Sequence, residues 1–354
     1  MSSEKFQERI CTLVGLDKIN NIIANSDPKK VTAAFYRDKL WGDGSTINVR
    51  FTDLNPTIKI TPLDEMDTTN GPIDPIQQEY INNSNSNSKT IPKWIEYIVK
   101  QRIEPIVNLS FTFDTDNPWK EGNSVSDNTV IISFDEGTAT SLVGTDVNKD
   151  EYIGKPTMNL GWFDVATVIH EFGHVLGLVH EHQNPRGPID WNIDKVYDYY
   201  ENDPFDWSED RINTNIIKKY DKEQINGSEF DPCSIMLYFF PASITNNGVG
   251  QHQNLRLSGT DIKYISEQYP QDPPINPAQI YNQFYGGDIE TNISQCNAKR
   301  NPSFISKIIF TVKKYWYIPV SLLVLALVVV IVIIILKRRR DNSVRVINQP
   351  VIRK

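Results

Sequence analysis

The sequence predicts an α+β domain followed by one membrane-spanning helix, and three observations support this fold class. Short segments of the N-terminal half alternate apolar and polar residues, as half-buried strands do; residues 47–51 are an example. Residues 165–176 have apolar residues at helical spacing, and the histidines of the chain are concentrated within residues 170–182. Residues 318–336 form an uncharged, apolar segment of nineteen residues, which is long enough to cross a bilayer.

The composition is that of a globular chain with an acidic body. The 354 residues are 39% hydrophobic and 23% charged, and they suffice for one or two domains. Residues 337–354 carry seven basic residues and one acidic residue, so the net charge of −8 divides into +6 there and −14 on residues 1–336. The net negative charge of residues 1–336 disfavours binding to nucleic acid, and we predict no nucleic-acid partner. The three cysteines, Cys11, Cys233 and Cys296, are widely spaced and predict neither a disulfide framework nor a cysteine metal cluster.

The pattern along the chain predicts an N-terminal extension over residues 1–30 and a folded globular domain over residues 31–270. Apolar residues recur at helical spacing between Phe6 and Ile22, which favours an amphipathic helix over a signal-like segment. Within the domain, strands are predicted at residues 47–51, 107–113, 129–134, 142–145 and 157–160. A helix is expected from Pro92 to residue 103, and a polar loop over residues 61–90. Ser258 is the predicted N-cap of a final helix that Pro270 ends.

The C-terminal part is predicted to be a linker at 271–314, a transmembrane helix at 315–336 and a basic tail at 337–354. Trp316 and Tyr317 are typical interfacial residues at one end, and four consecutive basic residues close the other end. A buried helix is the alternative. The basic tail favours a cytosolic C-terminus with the domain on the other side of the bilayer, although a tail anchor with a cytosolic domain remains open.

Four of the five histidines fall within residues 170–182. His170 and His174 are four residues apart, so on a helix their rings lie on one face, with Glu171 beside them. Gly177 can take the left-handed conformation that ends a helix and returns His180 as a third nitrogen. Three neutral imidazoles leave one position of a tetrahedral zinc open, which is typical of a catalytic site. The alternative is a surface helix with solvated histidines. Asp164 is the predicted N-cap of this helix.

These residues resemble the zinc signature of the metzincin metallopeptidases, and Glu181 after the third histidine resembles the astacin branch. Residues 234–238 are similar to the Met-turn of that clan, with Met236 beneath the metal, and residues 257–261 resemble the start of its C-terminal helix. The resemblance spans residues 35–270. It implies a metzincin-type domain with a twisted N-terminal sheet, two long helices and a small C-terminal subdomain that contains the Met-turn. The disulfides of extracellular astacins are not expected from three scattered cysteines.

The resemblance implies a zinc-dependent endopeptidase that acts on proteins or peptides. One catalytic zinc would be bound by His170, His174 and His180, with Glu171 as the general base. Tyr238 resembles the tyrosine near the metal, which ligates zinc at rest or stabilises the oxyanion; a packed core tyrosine is the alternative. His182 is expected to be an exposed residue or a neighbour of the site, and a fourth ligand is the alternative. A non-enzymatic membrane-anchored binding or adhesion protein on the same scaffold, and a zinc hydrolase with a different substrate, remain as other interpretations.

Overall fold

The computed structural model describes residues 11–13, 35–83, 89–202, 205–221, 225–226 and 229–300, which lie within one compact unit, Met1–Asn301. The strands are β1 Cys11–Leu13, β2 Phe35–Tyr36, β3 Thr46–Phe51, β4 Lys59–Ile60, β5 Ser110–Asp114, β6 Thr129–Ser133, β7 Ala139–Ser141, β8 Met158–Leu160, β9 Trp162–Phe163 and β10 Ile225–Asn226. The helices are α1 Pro75–Asn83, α2 Ile91–Arg102, α3 Val165–Val175, α4 Ile193–Glu201, α5 Glu209–Ile212, α6 Gly259–Gln268, α7 Pro277–Tyr285 and α8 Ile289–Arg300. The predicted mixture of helix and sheet is confirmed.

Six strands form the main sheet in the order β1-β7-β8-β6-β3-β5. Neighbouring strands are parallel except at β7 and β8, which are antiparallel. Alternate residues of β3 are buried, as its sequence pattern predicts, and Val49 lies opposite Phe113 on one side and Val130 on the other. The sheet thus presents one continuous apolar face to the helices.

Helices α2 and α3 pack against this face and enclose the main core. Ile95, Ile98 and Val99 of α2 are fully buried, and Phe172 of α3 contacts Phe111 edge to face with ring centroids 5.9 Å apart. The predicted helix from Pro92 agrees with α2. Helix α3, which carries the histidines, is therefore packed against both the sheet and helix α2. This packing fixes the direction of the side chains of α3.

The predicted strand at residues 142–145 is wrong, because the strand is β7 at Ala139–Ser141 and a 3-10 helix covers Gly144–Asn148. The reason is local to Gly144, which has a φ of +52° and lies against the backbone carbonyl of Lys39, where any Cβ would collide. The strand therefore ends earlier in the chain than the apolar pattern suggests.

The predicted loop over residues 61–90 contains a helix, α1. The side chain of Asp74 accepts a hydrogen bond from the backbone N–H of Ile76 at 2.8 Å and also pairs with Arg102 of α2 at 2.7 Å. The ring of Tyr80 packs against Phe163 with centroids 4.7 Å apart. The polar composition hid this helix, because few of its residues are apolar, although Ile76 and Tyr80 are buried in the main core.

The globular part extends beyond Pro270, into the segment assigned to a linker. Helices α7 and α8 follow, and they bury Tyr281, Phe284 and Ile289 against α6. Cys296 of α8 forms a disulfide with Cys233, with Cα atoms 5.6 Å apart. The expectation of no disulfide is therefore wrong for this pair. Residues 301–314 of the predicted linker lie outside the described residues.

Two further predictions fall largely outside the described residues. In the region of the expected N-terminal helix only Cys11–Leu13 are described, and they form a strand that pairs in parallel with β7. The predicted transmembrane helix and the basic tail lie in the part of the chain that is not described. In the part that is described, no helix combines the length and the apolarity needed to span a bilayer.

Candidate metal centre

Helix α3 positions the first two histidines. It begins at the predicted N-cap, Asp164, whose carboxylate accepts hydrogen bonds from the backbone N–H of Thr167 at 2.7 Å and from the hydroxyl of Thr61 at 3.0 Å. The helix ends at Val175, and Gly177 has a φ of +95°, which turns the chain as predicted. Because every residue of α3 is buried, its histidines face the interior of the domain.

The three predicted metal ligands converge. The ligand atoms of His170, His174 and His180 all lie within 4.8 Å of one another, and the Nε2 atoms of His174 and His180 are 3.1 Å apart. Two nitrogens bound to one tetrahedral zinc at ordinary bond lengths are about 3.3 Å apart. Nε2 of His170 has no hydrogen-bond partner in the described structure. The donor set therefore fits a zinc ion.

Hydrogen bonds of the Nδ1 atoms fix the tautomers of His170 and His174. Nδ1–H of His170 donates to the carbonyl oxygen of Ile235 at 2.8 Å, and Nδ1–H of His174 donates to that of Leu178 at 2.8 Å. A carbonyl can only accept, so each ring keeps its proton on Nδ1 and presents the lone pair of Nε2 to the metal position.

Burial keeps all three rings neutral. It lowers the pKa of His170 to about 4 and the pKa of His174 and of His180 well below the usual 6.5, and the neighbouring histidines lower the last two further. A neutral imidazole is the form that binds a metal. The site is thus ready to bind a cation at neutral pH without releasing a proton from a histidine.

The segment at residues 231–238, which contains the predicted Met-turn, lies directly beneath the histidines. The carbonyl oxygen of Met236 accepts a hydrogen bond from the backbone N–H of Glu181 at 2.9 Å, next to the third histidine. A Cβ on Gly173 would lie only 2.6 Å from Sδ of Met236. The methionine therefore occupies the space that this glycine leaves, and it packs under the site as expected.

Two buried carboxylates hold this segment, and only one of them was singled out in the sequence. Glu181 accepts hydrogen bonds from the backbone N–H of Asp231 at 2.8 Å and from the amide of Asn184 at 2.9 Å, and burial raises its pKa well above the ordinary value. Asp261 accepts from the hydroxyl of Ser234 at 2.8 Å and the backbone N–H of Ile235 at 2.9 Å.

Asp261 also completes a capping box with Ser258 at the start of α6, which confirms the predicted N-cap. Burial and the charge of Asp231 raise the pKa of Asp261 to about 7. The capping pattern was visible in the sequence, but its second role, as acceptor for the Met-turn, was not. One carboxylate therefore serves the helix start and the segment beneath the metal position.

An open cleft of about 540 Å³ lies beside the histidines. Its lining includes His170, Glu171 and Tyr238 together with Trp162 and Thr167. Glu171 is fully buried at the floor, one residue along α3 from the first histidine. A substrate carbonyl placed in this cleft would meet the metal position and a carboxylate from the same helix.

Tyr238 lies against the imidazoles. Its ring centroid is 4.1 Å from that of His180 and 4.5 Å from that of His182, and it stacks on His182 at an interplanar angle of 20°. Nε2–H of His182 donates to the carbonyl oxygen of Asn215 at 2.7 Å, so this histidine lies behind Tyr238 and is not in the group of three, as predicted. His252 is exposed and pairs with Asp67 at 2.5 Å.

A second group of potential ligands exists among the described residues, formed by Asp231, Cys233 and Cys296. The disulfide between the two cysteines removes both thiolates, so this group is not a metal site in the oxidised chain.

Residues 115–270 match the model of the astacin family of peptidases. The chain contains an astacin-like zinc metallopeptidase domain. It is a zinc metalloendopeptidase, and its substrates are proteins or peptides. The matched residues include the three histidines, Glu171 and the Met-turn of the astacin-like domain.

Solved structures with similarity to the astacin-like domain include two of myroilysin. One is 28% identical, covers 68% of this chain and 99% of its own, and has a TM-score of 0.49. The high choriolytic enzyme 1 of the medaka fish Oryzias latipes, a hatching enzyme zinc-protease, is 13% identical with coverages of 68% and 98% and a TM-score of 0.37. A comparison with curated protein sequences finds no match.

Proposed function

We propose that this chain hydrolyses internal peptide bonds at a zinc ion bound by Nε2 of His170, His174 and His180, with Glu171 as the general base. The observation that carries the proposal is the convergence of three neutral imidazoles, two of which have their protons fixed on Nδ1 by backbone carbonyls. Zinc bound there supplies a Lewis acid that acidifies a water molecule and polarises the substrate carbonyl.

The role of Glu171 follows from its place on α3. Its carboxylate lies in the same cleft as His170, and the fully buried position excludes bulk water from competing for the proton. Glu171 takes a proton from the attacking water and passes it to the leaving amine, so one carboxylate serves both halves of the reaction.

Tyr238 is placed to act on the oxyanion that develops on the substrate carbonyl. Its ring is held by stacking against His180 and His182, and it lines the cleft next to His170. A hydroxyl on a rigid ring can donate a hydrogen bond to the developing charge without reorganisation.

The proposed domain plan adds a bilayer anchor, residues 315–336, to the astacin-like domain, with residues 318–336 in the hydrocarbon core and residues 337–354 in the cytosol. The astacin-like domain then lies on the non-cytosolic side of the bilayer. The buried disulfide supports this side over a tail-anchored cytosolic domain, since such bonds persist in oxidising compartments. Protease digestion of sealed vesicles tests it: protection of the tail and loss of the domain is expected, and the reverse pattern would overturn it.

Substitutions in the site test the assignment of roles. Glu171→Gln should keep one zinc per chain and lose peptidase activity on an unfolded protein substrate by a factor of at least about 10³, because the proton acceptor is gone. His174→Ala should lose both the metal and the activity, whereas the matched control His252→Ala, which alters an exposed histidine, should keep both. Full activity of Glu171→Gln would overturn the mechanism.

The same assay separates the endopeptidase from a non-enzymatic binding protein. Cleavage of the unfolded substrate should stop when a chelator removes the metal and return when zinc is added. Binding of partners without any cleavage would favour the adhesion hypothesis. A panel that compares peptide, ester and glycan substrates excludes or supports a zinc hydrolase with a different substrate.

A further inference from the structure

A second cavity lies at the disulfide and outside the cleft. Its empty space, part of which is open to solvent, is about 530 Å³, and its lining includes Cys233, Cys296, Arg256 and Lys299. Cys233 is 9% exposed and Cys296 only 1%, so Cys233 is the more accessible of the two cysteines. The cavity thus gives solutes access to a bond that is otherwise enclosed.

Cationic groups surround this entrance. Nζ of Lys299 donates to the backbone carbonyl of Asn70 at 3.0 Å, and Lys299 as a residue is exposed. The guanidinium of Arg256 lies 4.7 Å from the ring centroid of Tyr285, on the wall of the same cavity. The carboxylate of Asp231 is buried next to the sulfurs, within 4.8 Å. Arg256 and Lys299 are the charged side chains among the described residues that line the cavity, so an anionic solute is attracted to its mouth.

The disulfide is also connected to the metal position through three residues of chain. Cys233 precedes Ser234 and Ile235, and the carbonyl oxygen of Ile235 accepts the proton of Nδ1 of His170. The backbone N–H of Cys233 donates to Asp231, whose own N–H donates to Glu181 beside the third histidine. The disulfide fixes this segment to α8 at Cys296. Its loss would leave the segment held by its hydrogen bonds and by the packing of Ile235 and Met236 in the core, without a covalent bond to α8.

We propose that the Cys233–Cys296 disulfide is a site of thiol–disulfide exchange with small anionic thiols, and that its reduction weakens the hold of the histidines on zinc. The second half rests on the proposed zinc ligands. The cavity lets the thiol reach the disulfide, and the positive charges of Lys299 and Arg256 favour thiols with a negative charge. The segment at residues 233–235 connects the disulfide to His170.

The exchange proceeds in two balanced steps. A thiolate attacks Sγ of Cys233, the Sγ–Sγ bond breaks, and Cys296 leaves as a thiolate, which takes up a proton. A second thiolate then attacks the outer sulfur of the mixed disulfide and releases Cys233. The protein disulfide is reduced to two thiols, and two small thiols are oxidised to one disulfide.

The first experiment measures the rate of exchange on the full-length chain in detergent. Glutathione, which carries a net negative charge, is compared with cysteamine, which carries a positive one, and each rate is normalised to its thiolate concentration. We expect glutathione to react at least about threefold faster, the size expected for one or two partly screened charges. In Lys299→Glu the preference should vanish or reverse, whereas Lys263→Glu, on an exposed face of α6, should leave it unchanged.

Mass spectrometry identifies the adduct. A glutathione adduct on a peptide that contains Cys233 is expected, with Cys296 free to be alkylated. Equal normalised rates for the two thiols, an unchanged preference in Lys299→Glu, or an adduct confined to Cys296 would each overturn the site.

The second experiment measures the release of zinc to a chromogenic chelator, before and after reduction, in Cys11→Ser protein. The two remaining thiols are counted to confirm reduction. We expect release at least about tenfold faster after reduction, as for loss of an outer contact to a metal ligand. The Cys233→Ser/Cys296→Ser variant should release zinc at the fast rate with or without the thiol.

The outcome separates this inference from the proposed function. If His174→Ala abolishes zinc binding but reduction leaves the release rate unchanged, the ligand assignment stands and the redox connection is overturned. If His174→Ala keeps its zinc, the proposed function itself fails.

Discussion

Nδ1 of His170 lies 2.8 Å from the carbonyl oxygen of Ile235, so a ring of the metal centre is oriented by the backbone of the Met-turn. The same residue of the turn donates its N–H to Asp261 of α6. A single peptide segment therefore connects the final helix of the astacin-like domain to the histidine helix. Outer contacts of this kind set both the tautomer of a ligand and its direction.

Asp261→Asn should weaken zinc binding although Asp261 is not a ligand. The amide keeps one acceptor oxygen, but it cannot accept from Ser234, Ile235 and Ser258 together. We expect a loss of about tenfold to a hundredfold in zinc affinity, measured by competition with a chelator. The matched control is Asp67→Asn, which alters a carboxylate that pairs with an exposed histidine. Equal affinities in the two variants would contradict the role of Asp261.

Tyr238→Phe should lower kcat and leave the zinc content unchanged. The phenyl ring keeps the stacking on His182 and loses only the hydroxyl. Removal of one donor to an oxyanion costs about 10²–10³ in kcat, with a small change in KM. The variant is assayed with a fluorogenic peptide, and its metal is measured by atomic absorption. A kcat that remains at the wild-type value would assign Tyr238 to packing alone.

Gly173→Ala should destabilise the domain in spite of the better helix propensity of alanine. The added methyl group would lie 2.6 Å from Sδ of Met236, and overpacking of a core costs about 1–3 kcal/mol, whereas the propensity gain is about 1 kcal/mol. Urea unfolding measures the loss.

The cause can be isolated with a second substitution at the same contact. Met236→Ala removes the thioether, so it should cost less in the Gly173→Ala background than in the wild type. Additive effects of the two changes would contradict the contact as the source of the strain.

The zinc-free protein should lose stability as the pH falls from 7 to 5. Burial lowers the pKa of His170 to about 4 and of His182 to about 3 from the usual 6.5. Below pH 6.5 the unfolded chain therefore binds more protons than the folded chain, and the free energy of unfolding falls. Each of these rings contributes about 2 kcal/mol to the loss at pH 5.

His182→Phe provides the comparison for this pH dependence, since it keeps a ring against Tyr238 and removes one buried titrating group. The difference in unfolding free energy between pH 7 and pH 5 should shrink by about 2 kcal/mol in chelated samples. An unchanged difference would show that the pKa of His182 is the same in the folded and the unfolded chain.

The convergence of the three histidines could be predicted from the sequence because it depends on local spacing. His170 and His174 lie one helical turn apart, Gly177 has the positive φ that the turn requires, and Asp164 and Ser258 begin their helices as expected. Each of these features depends on residues that are close in the chain. Local geometry alone is enough to infer them.

Features that depend on distant residues were missed. Cys233 and Cys296 are 63 residues apart, and nothing in that spacing indicates that the two residues lie close enough to form a disulfide. Helix α1 has few apolar residues, and it is stabilised by the pair of Asp74 with Arg102 on another helix. Such contacts are set by the packing of the whole domain, which the periodicity of a single segment does not report.

The pairing of Cys11–Leu13 with the outer edge of β7 has a consequence for kinetics. If a peptide were to bind as an added strand at this edge of β7, it would first have to displace β1, which belongs to the same chain and so competes at an effective concentration in the millimolar range. The apparent KM of such a peptide is raised by a constant factor that dilution of the enzyme does not change. Once the chain is cut between Leu13 and Phe35, β1 becomes an ordinary ligand that dilution removes.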